Sequence, residues 1–333
     1  MTLNTVISAI DSLSLKEAKN ILKNGGAVAF PTETVYGLGA DARNDEAVKL
    51  IYKIKGRPSD NPLIVHIHKD YDLSELVFDD RPYAKKLREA FLPGPLTLIY
   101  KSRKKVSGLV SCGLDTLAVR VPSHEGAQAF LRFVDMPIAA PSANISKHIS
   151  PVSARHVFED LNGKLPLILD GGRCSGGIES TVCDVTGDYP VVLRSGLVST
   201  EMIAEITGKC ELYVPKKDEK VRSPGMKYKH YAPKCETKLF RSDELGLAVA
   251  EFEFQKKHGR KVFVLCSDDM KAAFPSEFVL NLGRDEKEMA ANLYELLHEG
   301  ETAADLIIAV EPKKKDGIMT GVINRLSKAC AGE

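Results

Sequence analysis

Residues 27–67 restrict the fold most strongly, because two apolar runs stand on either side of one amphipathic helix pattern. The first run, Ala27 to Phe30, stops at Pro31, whose nitrogen cannot donate a hydrogen bond to a neighbouring strand. Four apolar residues then follow at the i, i+3, i+4, i+7 spacing of a helix, and the second run covers 63–67. The segment therefore predicts the order strand, turn, helix, turn, strand.

The predicted helix has clear ends, and its C-terminal end carries positive charge. Asn44 or Asp45 is a suitable N-cap, and Gly56 is a suitable C-terminal stop. Lys55 and Arg57 lie at that end. Such cations often complement the partial negative charge of a helix C-terminus. They can also neutralise phosphate oxygen atoms where glycine lets a ligand approach the main chain. The residues alone leave both interpretations open.

Composition limits the class of protein. The chain has 333 residues with 44% hydrophobic content, which is enough for a substantial core and predicts two domains. Its 46 basic and 45 acidic residues give a net charge of +1, so no overall field favours nucleic acid. The seven cysteines form no CxxC pair, which argues against a disulfide framework or a zinc site. Since the sequence lacks a signal-peptide pattern and a membrane-spanning apolar run, we expect a cytoplasmic protein with no membrane contact.

Polar side chains accompany two further predicted strands. Residues 116–122 form one of them, with Thr116 at its start and Arg120 near its end. Residues 136–140 form the other, and the sequence Pro-Ser-Ala-Asn follows it. A strand-end arginine can be a surface ion-pairing residue or a bidentate clamp on a carboxylate. Ser and Asn after a proline commonly close a turn. Spacing does not decide between these alternatives.

Helices and strands alternate through the rest of the first two thirds of the chain. Helices are expected at 14–24, 151–163 and 197–206, and strands at 166–170 and 180–185. The first helix is expected to begin with a capping box between Ser14 and Glu17. The glycine-rich turn at 171–177 matches neither a P-loop nor a dinucleotide-binding fingerprint. Nucleotide binding would therefore need a different scaffold.

The last third of the chain follows a charged, proline-containing segment that has no periodicity. This segment, 208–233, is typical of a linker or of a functional lid. Beyond it, strands are expected at 237–240, 261–266, 278–282 and 306–310, and helices at 243–258, 285–299 and 319–330. The alternation predicts a small parallel α/β domain. This domain contains no recognisable catalytic group of residues, so binding, allostery and mechanical support of the lid all remain open.

Seven separated motifs resemble those of the Sua5/YrdC family, the L-threonylcarbamoyladenylate synthases. They are PTETVYGLG, KGRPSDNPLIVHIH, RVP, PSAN, STVCD, the RSG that begins at Arg194, and SPGMKYKHYAP. The last motif is shared with the long, two-domain Sua5 type, and the resemblance covers essentially the whole chain. One departure stands at Lys147, because the family usually has a glycine after the serine that matches Ser146.

The resemblance implies an α/β fold in two parts. A YrdC-like twisted mixed sheet with its helices would form a concave site, and a small Rossmann-like parallel α/β domain would follow. The expected divisions are a YrdC-like catalytic domain at 1–208, a linker and active-site lid at 209–235, and the Sua5-type C-terminal domain at 236–333.

The resemblance also implies a reaction. L-Threonine, bicarbonate and ATP would be joined into L-threonylcarbamoyladenylate and pyrophosphate. Mg²⁺ would enter with ATP, held by phosphate oxygen atoms and water, without a prosthetic group or a metal site built by the protein. The product would serve the formation of N6-threonylcarbamoyladenosine (t6A) at position 37 of ANN-decoding tRNAs, through a downstream tRNA threonylcarbamoyl transferase. A weak tRNA contact by this chain is a further expectation.

The matching motifs assign roles to individual residues. The expected catalytic residues are Lys55 and Arg57. The expected L-threonine site consists of Thr34, His66, Arg120, Ala140 and Ser180. The expected ATP site consists of Arg57, Asn61, Thr116, Ser142, Asn144, Ser150, Arg194 and Tyr231. An isolated histidine between apolar residues is commonly a core residue, so the role of His66 depends on its motif.

Two other functions compete with synthesis of an adenylate. Carbamoyl transferases related to hydrogenase maturation proteins share the first domain, but they carry CxxC zinc fingers that this chain lacks. A YrdC-like domain could also act as an RNA-binding module, since such domains present a basic concavity. The near-zero net charge and the lack of aromatic residues within the basic runs count against a pure RNA binder. Salt-dependent tRNA binding without ATP turnover would favour it.

Overall fold

The computed structural model describes residues 3–214 and 231–330, and the strands in these ranges form two sheets. The larger sheet contains β1 (Val6–Ala9), β2 (Val28–Phe30), β3 (Gly37–Asp41), β4 (Ile64–His66), β5 (Val77–Phe78), β6 (Leu96–Ser102), β7 (Thr116–Arg120), β8 (Ile138–Ala140), β9 (Leu167–Asp170), β10 (Thr181–Asp184), β11 (Val191–Arg194) and β12 (Glu211–Leu212). Its strand order is β1-β9-β2-β3-β8-β4-β7-β6-β10-β11-β12, with β5 paired to β6. Parallel and antiparallel pairs are mixed, as predicted.

Strand alternation divides the residues of the larger sheet between two apolar layers. In β2, Val28 and Phe30 pack in one layer and Ala29 in the other. The helices that cover the sheet are α1 (Ser12–Lys23), α2 (Asp45–Lys55), α3 (Pro82–Phe91), α4 (Glu125–Val134), α5 (Ala154–Leu161) and α6 (Thr200–Thr207). Helices α1 and α4 pack against the Phe30 side, and α2 and α5 pack against the opposite side. The first domain is therefore a three-layer α/β structure.

The smaller sheet is entirely parallel. It contains β13 (Glu236–Phe240), β14 (Val262–Cys266), β15 (Val279–Asn281) and β16 (Leu306–Val310) in the order β13-β16-β14-β15. Helix α7 (Leu245–Lys257) covers one face, and α8 (Glu286–Ala303) and α9 (Met319–Cys330) lie on the other. The predicted parallel α/β domain is confirmed.

The two parts of the chain share one apolar core. Leu293 of α8 and Leu326 of α9 belong to the same buried cluster as Ile51 of α2 and Ile178, which precedes β10. Because this cluster continues across the contact, the second domain is not simply tethered to the first. The domain divisions at 208 and 235 remain a proposal, although β12 already extends the larger sheet into the segment expected to be a linker.

Several local predictions hold and several are wrong. Helix α2 has Asn44 as its N-cap, and it ends at Gly56, whose φ of 60° is a left-handed conformation that glycine adopts without strain. The turn predicted after Pro31 is too long, because Gly37–Asp41 pairs with β2 and β8 as strand β3. Glycine in this strand leaves room for the ring of Phe30, which an added Cβ at Gly37 would meet at 3.1 Å.

The predicted starts of two helices also need correction. The capping box of α1 lies between Asp11 and Ser14, whose side chains exchange hydrogen bonds with backbone N–H groups, and not between Ser14 and Glu17. Helix α5 begins at Ala154, after its N-cap Ser153, three residues later than expected. None of the helices in the described ranges is long and apolar enough to cross a membrane.

Candidate active site

A cavity lies at the edge of the larger sheet, at the point where several strands and helix α2 end. Most of the residues predicted for the site line it, and they come from separate parts of the first domain and from the segment predicted to be the lid. They are Thr34, Lys55, Arg57, His66, Arg120, Ala140, Ser142, Asn144, Ser150, Ser180, Arg194 and Tyr231. The fold therefore brings together residues up to 197 positions apart, from Thr34 to Tyr231 (231 − 34).

Arg120 is held at the end of β7 by three neighbouring groups. Its Nη1 donates to Thr34 Oγ1 at 2.8 Å, its Nη2 lies 2.8 Å from Glu33 Oε1, and its Nε donates to the Gly94 carbonyl at 3.4 Å. The residue is only 3% exposed. A guanidinium carries five N–H donors, and Nη2 pairs with Glu33 by charge without a hydrogen bond to the described residues, so at least two donors remain. Arg120 is therefore fixed in orientation and still able to bind a carboxylate.

His66 lies beside Arg120, because β4 and β7 run parallel and place the two residues in register. Burial and the nearby Arg120 cation lower the pKa of His66 to about 3. Its ring packs edge-on against Phe30, with ring centroids 5.7 Å apart. His66 is thus a neutral imidazole that contributes a polar edge to the cavity near physiological pH, and it is too weakly basic to supply a positive charge there.

Lys55 is a buried cation at the last position of α2. Its Nζ donates to the Ser142 carbonyl at 2.5 Å, to the Asn144 carbonyl at 2.6 Å and to Asn144 Oδ1 at 3.2 Å. No carboxylate in the described ranges lies within ion-pairing distance of this ammonium. Burial and the neighbouring Arg57 lower the pKa of Lys55 well below its ordinary value. An anion bound in the cavity would stabilise the charged form of Lys55.

Arg57 lies just beyond the end of α2, after the C-cap Gly56. Its side chain is half-buried, and Nη2 donates to the carbonyls of Asn61 and Pro62 at 3.0 and 3.2 Å. Within the described residues, Arg57 Nε has no hydrogen-bond partner although it is buried. A buried donor without a partner is unfavourable, which makes it a candidate to bind a ligand oxygen.

Ser180 and Arg194 are joined because β10 and β11 pair as an antiparallel hairpin. Arg194 donates from Nε and Nη2 to the Ser180 carbonyl at 3.1 and 2.9 Å, and Nη2 also lies 3.2 Å from Ser180 Oγ. The hydroxyl of Ser180 in turn contacts Thr97 Oγ1 at 2.8 Å. Burial, together with the positive charge of Arg325, lowers the pKa of Arg194. This guanidinium is therefore anchored on the backbone at the wall of the cavity.

Ser142, Asn144 and Ser150 supply the neutral polar wall. Ser142 Oγ donates to Asn144 Oδ1 at 2.5 Å, and Asn144 Nδ2 donates to the carbonyls of Ile145 and His148 at 3.0 and 2.8 Å. Ser150 Oγ donates to Glu179 Oε1 at 2.6 Å. The loop after β8 is thus held rigidly by its own side chains, as expected where a site needs fixed donors.

Tyr231 enters the cavity from the segment predicted to be the linker and lid, just before the second domain. It is 5% exposed, and its ring centroid lies 5.3 Å from that of Tyr294 in α8. The next residue, Ala232, donates its backbone N–H to the Lys147 carbonyl at 3.0 Å, so the chain crosses the loop after β8 at this point. The predicted lid otherwise falls mainly on residues 215–230, which lie outside the described ranges.

Lys147 adopts a backbone conformation that explains the glycine usual in the family. Its φ is 79°, in the left-handed region where a side chain is disfavoured. The exposed side chain adds a cation to the rim of the cavity. Lysine in place of the usual glycine therefore adds backbone strain at this position and also adds a positive charge.

Two predicted ATP contacts do not line this cavity. Thr116 lies at the start of β7, opposite Lys101 and at the far end of the strand from Arg120, so the prediction for Thr116 lacks support from the geometry. Asn61 lies in the loop that Arg57 grips, and its side-chain Oδ1 and Nδ2 have no hydrogen-bond partner among the described residues. Asn61 therefore lies next to the cavity wall, and its side-chain amide is able to bind a ligand.

Sequence reasoning missed two buried carboxylates. Glu33 lies between Thr32 and Thr34 in the first motif, where it holds Arg120 and accepts a hydrogen bond from the backbone of Ser123 at 3.1 Å. Glu179 precedes the Ser-Thr-Val motif and lines the cavity. The only available signal was the position of each carboxylate inside or beside a motif, since neither follows a helical or strand periodicity.

The charges that line the cavity favour an anionic ligand. Among the described lining residues the cations are Lys55, Arg57, Arg120, Lys147 and Arg194, and the carboxylate is Glu179. No group of three His, Cys, Asp or Glu residues in the described ranges could hold a metal ion. The donor set of ammonium, guanidinium, hydroxyl and amide groups suits phosphate and carboxylate oxygen atoms.

Comparisons with known proteins cover the same two parts of the chain. The family model for Sua5, YciO and YrdC, described as telomere recombination, matches residues 20–196, and the model described as threonylcarbamoyl-AMP synthase, C-terminal domain, matches 198–331. The threonylcarbamoyl-AMP synthase of Pyrococcus abyssi is 41% identical over 96% of this chain and 95% of its own length. The synthase of Bacillus subtilis is 42% identical, with 96% and 93% covered.

Similarity to a solved structure extends over both sheets. The crystal structure of P. abyssi Sua5 complexed with L-threonine has a TM-score of 0.88 at 39% identity, and the match covers 99% of this chain and 98% of that one. The chain therefore belongs to the Sua5/YrdC family, in its two-domain Sua5 type.

Proposed function

We propose that the protein converts L-threonine, bicarbonate and ATP into L-threonylcarbamoyladenylate and pyrophosphate, and that the reaction takes place in this cavity. The observation that carries this proposal is the lining itself. A fixed arginine with two remaining donors lies in the same cavity as Lys55, a buried ammonium group that forms no ion pair with a carboxylate in the described part of the chain. One carboxylate substrate and one polyphosphate substrate fit these two kinds of cation. The names of the similar proteins support the same conclusion.

The L-threonine carboxylate would bind the two remaining donors of Arg120 as a bidentate pair. Thr34 and Ser180 would present hydroxyl groups, and Ala140 and His66 would shape the pocket around the substrate side chain. Because the pKa of His66 is about 3, the imidazole can accept a hydrogen bond from the threonine hydroxyl at neutral pH. A site with a hydrogen-bonding partner for that hydroxyl would discriminate against amino acids without one.

The nucleotide would lie over Lys55, Arg57 and Arg194. Lys55 and Arg57 would compensate the charge of the phosphates, and Arg57 Nε offers an unused donor. Ser142, Asn144 and Ser150 would contact the nucleotide from the loop after β8, and Asn61 offers an unused amide beside Arg57. Tyr231 would pack against the nucleotide from the opposite wall. Mg²⁺ would arrive as part of the ATP substrate, ligated by phosphate oxygen atoms and water.

The reaction proceeds in two bond-forming steps. The threonine amine first attacks the carbon of bicarbonate, forming an N–C bond and releasing water, which leaves a carbamate anion. A carbamate oxygen then attacks the α-phosphorus, and the bond between the α-phosphorus and the bridging oxygen breaks, so pyrophosphate leaves with the electron pair. The nucleophile is already an anion, so the protein mainly aligns the reactants and neutralises charge in the transition state.

The product is a mixed anhydride of a carbamic acid and AMP, which must be passed to an acceptor before water destroys it. In the proposed role the acceptor is adenosine 37 of ANN-decoding tRNAs, and a tRNA threonylcarbamoyl transferase makes t6A from the product. This chain needs no more than a weak tRNA contact for that role.

Pyrophosphate release provides the test. ATP, Mg²⁺ and bicarbonate are supplied with L-threonine, with L-serine or with no amino acid. We expect release that depends on both bicarbonate and L-threonine. Absence of release under all conditions, together with salt-dependent tRNA binding, would overturn the proposal in favour of an RNA-binding module.

A further inference from the structure

The second domain contacts the cavity wall directly through helices α8 and α9. Gly177, in the loop before β10, has a φ of 70°, and a Cβ built on it would lie 2.2 Å from the carbonyl oxygen of Ala290 in α8. A Cβ built on Gly321 of α9 would lie 3.3 Å from the backbone of Gly196, which follows β11. At Gly177 the two backbones are therefore too close together for a side chain, and at Gly321 a side chain would be crowded. Helices α8 and α9 therefore pack directly against the loops that carry Glu179 and Ser195.

Glu179 is the point where this contact meets the cavity. Its Oε1 accepts a hydrogen bond from Ser150 at 2.6 Å, and both of its oxygen atoms accept from the hydroxyl of Tyr294, at 3.2 and 3.0 Å. Arg325 Nε donates to Glu179 Oε2 at 3.1 Å. Two of the three side chains that hold this carboxylate thus belong to the second domain.

The side chain of Arg325 is also fixed to the backbone of the first domain. Its Nη1 donates to the Ser195 carbonyl at 2.6 Å, and the residue is 1% exposed. Burial alone would raise the pKa of Glu179, but Arg325, then Arg194, and the hydrogen bond from Ser150 outweigh it and hold the pKa at about 2. Glu179 is therefore an anion at physiological pH, and Arg325 is its principal counterion.

A carboxylate that faces a phosphate-binding cavity needs such a counterion. An uncompensated Glu179 would repel the nucleotide, because two anions in a cavity with little solvent screening interact strongly. It would also attract Arg194, the second cation acting on it, away from the position in which Arg194 grips the Ser180 carbonyl. With Arg325 in place, Arg194 stays available to the nucleotide, and Ser150 keeps a fixed orientation.

We propose that Arg325 and Tyr294 are positioning residues for the nucleotide site of the first domain, because they neutralise and anchor Glu179 in its wall. The second domain thereby supports the ATP site through Glu179, and neither Tyr294 nor Arg325 contacts the nucleotide itself. This inference rests on the proposed function for the identity of the nucleotide. A purely structural role of the second domain is different, because its loss would lower the stability of the protein and weaken the binding of both substrates to the same extent.

The test compares ATP and L-threonine binding in full-length variants. In Arg325→Met, the dissociation constant of ATP, measured by isothermal titration calorimetry, is expected to rise about tenfold or more, and that of L-threonine less than threefold. The double variant Arg325→Met/Glu179→Gln no longer carries a buried unpaired carboxylate, so it is expected to return to within about threefold of the wild-type ATP affinity. Arg260→Met is the matched control, because it removes an arginine of the second domain that pairs with Glu236 at 2.8 Å, on the parallel sheet.

Each result decides the inference. Equal weakening of both ligands in Arg325→Met, unchanged ATP affinity, or a double variant no better than the single one would overturn it. If Arg325→Met does not fold, Tyr294→Phe removes only a hydroxyl, and a two- to fivefold loss of ATP affinity is expected; no loss would overturn the inference. A wild-type protein that binds ATP but releases no pyrophosphate would contradict the proposed reaction, while these affinities would still decide the role of Arg325.

Discussion

The cavity of the first domain and the crevice at the carboxyl ends of the parallel sheet in the second domain resemble each other in layout. Both lie where strands end, and both collect basic side chains. In the crevice these are Arg284, Lys313 and Lys314, beside Ser267 and Asp269. By position alone, the crevice is the place where open parallel sheets usually bind ligands.

The two regions differ in how their cations are satisfied. Lys313 lies 2.8 Å from Asp269, and Lys314 lies 2.5 Å from Glu286, with more than half of each lysine side chain exposed. In the cavity, Lys55 is buried and contacts neutral oxygen atoms instead of a carboxylate. Pairing and burial, more than strand-end position, thus distinguish a candidate anion site from a solvated ion-pair surface.

Arg57→Ala should produce the largest difference between the two regions. Loss of one preorganised charge donor at a transition state typically costs about 10²–10³-fold in turnover, so we expect a loss of this size in pyrophosphate release at saturating substrates. The matched variant Lys313→Met removes a paired cation in the crevice and should change turnover less than twofold.

Arg57→Lys is the conservative control, and it should retain part of the activity because it keeps the charge without the forked donors. Circular dichroism would establish that each variant is folded. Near-normal turnover in folded Arg57→Ala, or an equal loss in Lys313→Met, would remove the distinction between the two regions.

Tyr231→Ala tests the place where the two domains meet. Stacking between a base and an aromatic ring contributes about 1–3 kcal/mol, so we expect the KM for ATP to rise about tenfold while the first domain stays folded. Tyr231→Phe keeps the ring and should therefore raise this KM much less than Tyr231→Ala does. Unchanged ATP dependence in Tyr231→Ala would reduce this part of the chain to a passive tether.

Acid should weaken the contact between the domains. His156 of α5 stacks on His298 of α8 with ring centroids 3.9 Å apart. Burial, then the neighbouring His298, Arg155 and Arg173, lowers the pKa of His156 to about 3. In the unfolded chain a histidine takes up a proton near pH 6.5. Between pH 6.5 and pH 3 the unfolded state therefore binds more protons, and stability decreases as the pH falls through this range.

Thermal unfolding at pH 7 and pH 5 measures this effect. We expect the melting temperature to fall by several degrees in the wild type and by less in His156→Asn. His258→Asn, which changes an exposed histidine at the end of α7, should keep the full wild-type decrease. The same decrease in all three proteins would show that His156 does not carry the acid sensitivity.

Lys147→Gly should have the smallest effect, and it separates strain from charge at the rim of the cavity. Glycine at a φ of 79° relieves a cost of about 1–2 kcal/mol, so the free energy of unfolding by urea should rise by about 1 kcal/mol. Loss of the rim cation should raise the KM for ATP two- to threefold. Lys147→Ala should show the same change in KM without the gain in stability, and an unchanged KM in both variants would mean that the cation is irrelevant to ATP.

The sequence predicted regular elements well where apolar periodicity was strong. All four strands of the second domain lie within one residue of their predicted positions, and three of them, β14, β15 and β16, are mainly apolar runs. Strand β1 escaped prediction, since it lies at the edge of the sheet and three of its four residues are exposed. Strand β3 escaped because its two glycines suggested a turn, whereas they serve to make room for Phe30.

The candidate site was predictable only as far as motifs carried it. Lys55, Arg57 and Arg120 stand in conspicuous positions at the ends of elements, so local reasoning marked them as anion-binding candidates. The compensation of Glu179 by Arg325 spans 146 positions, and no local pattern contains it. Electrostatic pairing of this kind depends on the packing of α8 and α9 against distant loops, which periodicity does not encode.

The contact of α8 and α9 with the cavity wall has a consequence for attempts to produce the first domain alone. A fragment that ends after β12 would retain every strand of the larger sheet, and by topology it is a complete module. By charge it is incomplete, because removal of α8 and α9 would expose Ile178 and would take from Glu179 both Arg325 and the hydroxyl of Tyr294. A minimal catalyst made from this chain would need a neutral side chain at position 179 and a polar surface in place of the lost helices.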